Sequence, residues 1–374
     1  MIYFDNAATY HNDNKATLEV YLEANQKYFA NANSSHRLGY LANKAVDQAR
    51  LSILRDLKLD SNYEVIFNSG ATEGINHALK GYALRNKSRG NEIIAFKNEH
   101  PAVSETLLSL SKLGFKITYI DCDKNGEINY AQLKSLINQN TIMVVVMSVN
   151  NETGATNNLD KIYDIVKTYP KCVFFSDVTQ AIGKINLNYH HLDIFAFSAH
   201  KFGGLMGSGI LIKKKKILLT KLIDGGAQEN NLRAGTLASP LAISTSFALH
   251  QAITHLDGNL KHVLKLKDCL IEGLKKNPEI ILNSSSEFPY IVNFSLKSKK
   301  ASVLLEALSN KEIYVSSQSA CHAKSNIVSS VLLNMGLDRK LAENSVRVSF
   351  SEVNTIDEVR IFLRELNEIL GEIR

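Results

Sequence analysis

A chain of 374 residues that is 45% hydrophobic and 21% charged has the balance of a soluble globular protein, long enough to bury one large core and a smaller one. Its net charge of +6 is scattered except at Lys213 to Lys216, and without aromatics among those lysines the run reads as a solvated strand end, which argues against direct nucleic-acid binding. No apolar run is long enough to cross a bilayer, and the opening MIYFDNAATY lacks a basic stretch followed by an apolar one, so a cytoplasmic protein without membrane contact is expected.

After DNAAT, residues 15 to 55 read as helical pieces interrupted by the polar loop FANANSSHRLG at 29 to 39. Short apolar runs then recur at YEVIF (63 to 67), EIIAF (92 to 96), KITYI (116 to 120), IMVVVMS (142 to 148), CVFFS (172 to 176), DIFAF (193 to 197) and GILIK (209 to 213). Mostly amphipathic segments separate them. This alternation predicts an α/β fold built on a mostly parallel seven-stranded sheet with helices on both faces. From about residue 252 longer helical segments take over, with strands at PYIVNFS (289 to 295) and SVRVSFS (345 to 351), which predicts a smaller C-terminal α+β domain. The expected division is a large domain over 13–251 and a small one formed by 1–12 together with 252–374.

The segments that follow the strands carry the chemistry. YEVIF runs into NSGATEG, where Gly70 permits a tight turn and Ala71 and Thr72 open a helix whose first N–H groups suit a phosphate. EIIAF leads to His100, whose ring can cover a flat ligand or serve as an ordinary hydrogen-bonding residue. IMVVVMS leads to Asn150, Asn151 and Glu152, which form a turn or face a ligand. CVFFS ends at Asp177, with Gln180 beyond it, and DIFAF ends at Ser198, His200 and Lys201. In a parallel sheet ligands bind outside the carboxyl ends of the strands, so five such clusters on one edge would make a single pocket. A lysine amine facing a buried carboxylate there suits pyridoxal phosphate, the amine binding its aldehyde and Asp177 keeping its pyridine nitrogen protonated; a structural ion pair is the alternative. Four cysteines, at 122, 172, 269 and 321, show no paired metal-ligand spacing, and no metal is expected. Cys122, Cys172 and Cys269 sit in or beside apolar segments. Cys321 lies among Ser316, Ser317, Gln318, Ser319, His322 and Lys324, which predicts an exposed loop whose cations favour the thiolate.

Taken together, SGATEG, NEHPAV, VNNETG, SDVTQAIGK, FSAHK, GGAQENNLRAGT and SSQSAC resemble the motifs of the cysteine desulfurases. These are NifS- and IscS-like pyridoxal-phosphate enzymes of fold type I in the class V aminotransferase group. The resemblance runs from DNAAT to the C-terminal helix. It implies Lys201 as the Schiff-base lysine, Asp177 on the pyridine nitrogen, Gln180 on the phenolic oxygen and His100 stacked on the ring. It further implies Ala71, Thr72, Ser198 and His200 on the phosphate, Asn151 at both cofactor and substrate, and Thr236 reaching the phosphate of a neighbouring subunit in a homodimer. Asn31 and Arg347 match residues that hold the substrate carboxylate, for which an arginine fork is suited.

The implied reaction converts L-cysteine to L-alanine. Lys201 moves the α-proton, His100 is a candidate for a second proton transfer, and Cys321, carried by the small domain, takes the sulfur as a persulfide. The sulfur then passes to an acceptor, an iron–sulfur scaffold or a tRNA-thiolation carrier. A selenocysteine lyase or cysteine-sulfinate desulfinase would use the same pocket with a different cysteine loop, and a non-catalytic sulfur-transfer scaffold is the alternative from outside the enzymes. The chain departs from the family pattern at Ala32, at Leu205 and Met206, at Ala227 and at Gln318, which stands where the family has a glycine. These departures bear on rate and partner choice, since the catalytic side chains are all retained.

Overall fold

The computed structural model describes residues 1–11, 15–283, 287–317 and 328–372. Among them twelve strands form, beginning with β1 (Ile2–Tyr3), β2 (Tyr63–Asn68), β3 (Glu92–Phe96), β4 (Lys116–Ile120), β5 (Thr141–Val145) and β6 (Val173–Asp177). The remainder are β7 (Ile194–Ser198), β8 (Gly209–Lys214), β9 (Ile280–Leu282), β10 (Ile291–Leu296), β11 (Ile313–Tyr314) and β12 (Ser345–Ser349). Seven make one sheet in the order β2-β8-β7-β6-β5-β3-β4. Strands β3 to β7 are mutually parallel, whereas β8 runs antiparallel to both of its neighbours, β7 and β2. Two reversals restore the direction, so β2 leaves the sheet at the same edge as β3, β5, β6 and β7.

The interior strands β3, β5, β6 and β7 are buried along their whole length, as continuous apolar runs covered by helices on both faces require. Strand β4 is one edge, with β2 the other, and exposes Lys116 and Tyr119. The lysine run after GILI is not the solvated strand end expected. Lys213 is buried and paired at 2.6 Å with Glu64, its register partner across β2 and β8, while Lys214 is half-buried against Asp193 at 2.9 Å. Only Lys215 and Lys216 are exposed. A strand residue beside an antiparallel partner can find a carboxylate there that its own segment does not contain.

A second core lies against β12-β10-β9, an antiparallel sheet, and against helix Ile356–Glu372. The first residues of the chain belong to this core. Phe4 is fully buried, edge-on to Phe350 at 5.2 Å and to Phe362 at 5.8 Å, an anchor of about 2–3 kcal/mol in buried apolar area. The segment from Asp5 to Thr9 is thereby pinned between the second core and the edge of the seven-stranded sheet. No described helix is long and apolar enough to cross a membrane.

Candidate active site

At the β2 end, Asn68 gives way to a turn at Gly70 and then to helix Ala71–Arg85. Strand β8 starts so close to this turn that a Cβ on Gly209 would lie 2.4 Å from the Cα of Gly70, so only glycine fits at 209. Ala71 N donates to Ser198 Oγ at 2.7 Å, which ties the first turn of the helix to the end of β7. Thr72 follows, and both residues face a cavity of about 230 Å³.

The same cavity collects the other strand ends. His100 caps helix Pro101–Lys112, its Nδ1 accepting from Ala102 N at 3.1 Å. This contact leaves Nδ1 unprotonated and places the proton of the neutral ring on Nε2. Asn150 builds the turn after β5, its Oδ1 accepting from the N–H groups of Glu152 and Thr153 at 2.9 and 3.0 Å, so that Asn151 reaches the cavity. Asp177 ends β6 only 5% exposed, with Oδ1 accepting from Thr179 N at 2.9 Å. Gln180 Nε2 donates to the Ala7 carbonyl at 3.0 Å.

Lys201 Nζ donates to the carbonyls of Ala7 and Ala8 at 2.7 and 2.5 Å, and with Ser198 and His200 it lines the wall beside β7. Burial, then the neighbouring charges of Lys201 and Lys184, push the His200 imidazole down to about 4, so it is neutral near pH 7 with Nδ1 3.1 Å from Thr9 Oγ1.

Across the cavity stands Arg347, in the middle of β12 and 1% exposed. Its Nη2 donates to Asp5 Oδ1 at 2.6 Å and to Ser316 Oγ at 2.8 Å, and its Nη1 donates to the Asn151 carbonyl at 2.9 Å. Arg347 Nε, although buried, has no partner among the described residues, and the same holds for Thr179 Oγ1 on the cavity wall.

The structure thus gathers Ala71, Thr72, His100, Asn151, Asp177, Gln180, Ser198, His200, Lys201 and Arg347 around one cavity. It does not bring in Asn31 or Thr236. Asn31 is exposed and accepts from Asn33 N at 2.9 Å. Thr236 is exposed beside a separate depression of about 100 Å³, which also touches Ser69 and Arg233. Cys321 and Gln318 lie outside the described residues. Ala227, at one of the departures, has φ −89°, a conformation open to any residue, and Met206 at another is 72% exposed.

Sequence reasoning passed over Ala7, Ala8, Met147, Val149 and Thr179, all on the cavity wall. The available signal for the first two was DNAAT itself, a polar small-residue stretch with neither helical nor strand periodicity. It also passed over Glu99, which accepts from Met147 N at 2.5 Å and whose carboxyl is raised well above the usual range by burial and then by Asp177.

Comparison with known proteins gives a consistent picture. The aminotransferase class-V family matches residues 2–362. A cysteine desulfurase IscS of Buchnera aphidicola subsp. Baizongia pistaciae is 36% identical over 100% of this chain and 93% of its own length. A NifS/IcsS protein homolog of Lactobacillus delbrueckii subsp. bulgaricus is 34% identical over 99% of this chain and 97% of its own. Among solved structures, one described as a NifS-like protein superposes with a TM-score of 0.92 at 34% identity, covering 99% of both chains.

Proposed function

The chain belongs to the class-V aminotransferases and, among them, to the cysteine desulfurases, and from that membership we infer that it binds pyridoxal 5'-phosphate and converts L-cysteine to L-alanine while passing the sulfur on. The observation that carries this reading is the convergence of Lys201, Asp177 and Arg347 on one cavity from β7, β6 and β12. An amine, a buried carboxylate and a guanidinium fork are what a carbonyl cofactor and an amino-acid substrate need on three sides.

The residues present fit that cofactor. The helix start at Ala71, the hydroxyls of Thr72 and Ser198 and the His200 ring suit its phosphate, Asp177 its ring nitrogen and Gln180 its phenolic oxygen. When bound, the cofactor supplies an electron sink for the carbanion left when the α-proton is removed. Lys201 holds it covalently and, once released, moves the α-proton; the Ala7 and Ala8 carbonyls that accept from its amine keep that amine at the cavity floor. His100, which lines the cavity with its proton on Nε2, would lie over the cofactor ring and could hold or give a proton there. Arg347, which lines the cavity, takes the substrate carboxylate. Cys321, outside the described residues, takes the sulfur as a persulfide and hands it to an acceptor protein, an iron–sulfur scaffold or a tRNA-thiolation carrier.

The reading extends to a homodimer. Leu18 and Leu22 on helix Lys15–Lys27, with Leu38, Tyr40 and Leu41 on helix Arg37–Asp56, are exposed, an apolar surface suited to a second copy. Thr236 is exposed and open to such a copy's phosphate site. Asn31, exposed between those two helices, is proposed to reach the substrate carboxylate only when the site is filled. The reading also divides the chain into 13–251 and 1–12 with 252–374, which the separate apolar cores support. The test is alanine formation from L-cysteine by the protein reconstituted with pyridoxal phosphate, with borohydride-reduced cofactor mapped by mass spectrometry. Reduced adduct on a lysine other than Lys201 would overturn the site assignment.

A further inference from the structure

Lys184 ends the motif SDVTQAIGK, and no step proposed above uses it. Its side chain is 5% exposed, and the chain reaches it through Gly183, which has φ +69° and lies so close to Ala252 that a Cβ would come within 2.7 Å. That backbone turn commits the lysine to the interior. There its Nζ lies 3.5 Å from Gln180 Oε1 and 5.6 Å from the centre of the Tyr290 ring. The charges around it are Lys201 and Arg347 on the cavity side and Glu352 beyond; burial, followed by Lys201, brings its pKa down to about 7. Among the described residues it has no carboxylate partner in an ion pair, so it fills this space at a desolvation cost that an apolar side chain would not incur.

The contacts of Gln180 bear on what the lysine does. An amide is symmetric in shape, and only its neighbours decide which end is which. The Ala7 carbonyl can only accept, and it holds Gln180 Nε2 at 3.0 Å. In its ammonium form, which prevails below that pKa, Lys184 can only donate, and its Nζ faces Gln180 Oε1 at 3.5 Å. With both ends fixed, the second N–H of Nε2 is left for the cavity that Gln180 lines. The same Ala7 carbonyl accepts from Lys201, so the amide and the Schiff-base lysine share one anchor.

We propose that Lys184 is a positioning residue that locks the Gln180 amide with its N–H group toward the cavity, where that group meets the phenolic oxygen of pyridoxal phosphate. The proposal rests on the cofactor reading above. A donor on the phenolic oxygen favours the form in which that oxygen carries unshared negative charge, which is the deprotonated chromophore. It therefore lowers the pH midpoint of the visible absorption band, and freeing the amide to rotate raises it.

The experiment titrates that band in the reconstituted protein for Lys184→Met, Gln180→Ala and the double variant. Lys184→Met is expected to raise the midpoint by about one pH unit in the parent and by less than about 0.3 unit in the Gln180→Ala background. Lys184→Arg, which keeps the donor, restores the parent value. If Lys184→Met does not fold, Lys184→Gln takes its place with the same expectation, since a second amide permits rotation. An equal shift in both backgrounds would mean that the lysine acts through its charge alone, and the proposal would be overturned. A shift in Gln180→Ala with none in Lys184→Met would overturn the Lys184 proposal and leave the cofactor reading intact. No shift in Gln180→Ala would overturn the assignment of Gln180 and the proposal with it.

Discussion

The two walls of the cavity are built by opposite means. On the sheet side each side chain leaves the backbone at or just past a strand end and meets mainly backbone groups, near in sequence for His100 with Ala102 and Asp177 with Thr179, distant for Ser198 with Ala71 and for Gln180 and Lys201 with Ala7. On the facing side Arg347 stands in mid-strand and is aimed by Asp5, Ser316 and Asn151, groups 342, 31 and 196 residues distant along the chain. Contacts of the first kind run mostly from one side chain to the backbone, so losing one side chain leaves the backbone partners of the others in place. The second is a network whose members depend on one another, and its free energies do not add.

The harshest test of the sheet-side wall is Lys201→Ala. It should abolish the borohydride-reducible adduct and lower alanine formation by at least about 10³-fold, while circular dichroism and the unfolding midpoint stay near the parent's. Retained adduct would show that another amine serves. Cys321 lies outside the described residues. Cys321→Ser should lower alanine release by a factor on the order of 10³, because a serine hydroxyl is not appreciably ionised at neutral pH, yet leave the cofactor band and its response to added cysteine unchanged. Undiminished turnover in that variant would remove the persulfide route.

Arg347→Lys tests the network wall. Losing the planar fork should lower kcat/KM for L-cysteine by about 10²-fold, mostly through KM, with the cofactor band unmoved. Ser316→Ala should raise KM by about three- to tenfold, and combining it with Arg347→Lys should raise KM by less than the product of the separate effects. Full multiplicativity would show that the arginine is not aimed by its neighbours. If a second copy brings Thr236 to its cofactor, Thr236→Ala should weaken cofactor retention by about tenfold, one hydrogen bond's worth, read by dialysis against buffer. Equal retention in the variant would remove the contribution of the second copy.

The smallest effect comes from His200. Its imidazole is held at about 4 in the folded protein against 6.5 for the ordinary group, so between those values the unfolded chain binds a proton that the folded chain does not. Stability of the cofactor-free protein should therefore fall as pH drops from 6.5 toward 4, and His200→Asn should flatten that slope in urea titrations. An unchanged slope would place the acid sensitivity elsewhere.

The same contrast explains what could be read in advance. Thr72, His100, Asp177, Gln180 and Lys201 were legible because an apolar run announces a buried strand and the polar residue after it must sit at the strand's exit. Arg347 was legible only through a resemblance, since SVRVSFS by itself gives an arginine inside a strand and no hint of Asp5. Lys213 was misjudged for the same reason: its partner, Glu64, lies on β2, and no local pattern pairs the two strands. Lys184 could be seen in the motif, but its burial follows from Gly183 packing on Ala252, which is a tertiary fact.

The sequence by itself determined the alternation of strands and helices and the edge at which polar side chains emerge, Lys201 and Asp177 among them, because periodicity and strand ends are set by residues near one another in the chain. Only the tertiary structure decided that β8 reverses so that β2 opens onto the same edge, that the first residues are anchored by Phe4 in the second core, and that Ala7 and Ala8 accept from Lys201. Those features depend on which surfaces bury each other, and burial is a property of the folded chain as a whole.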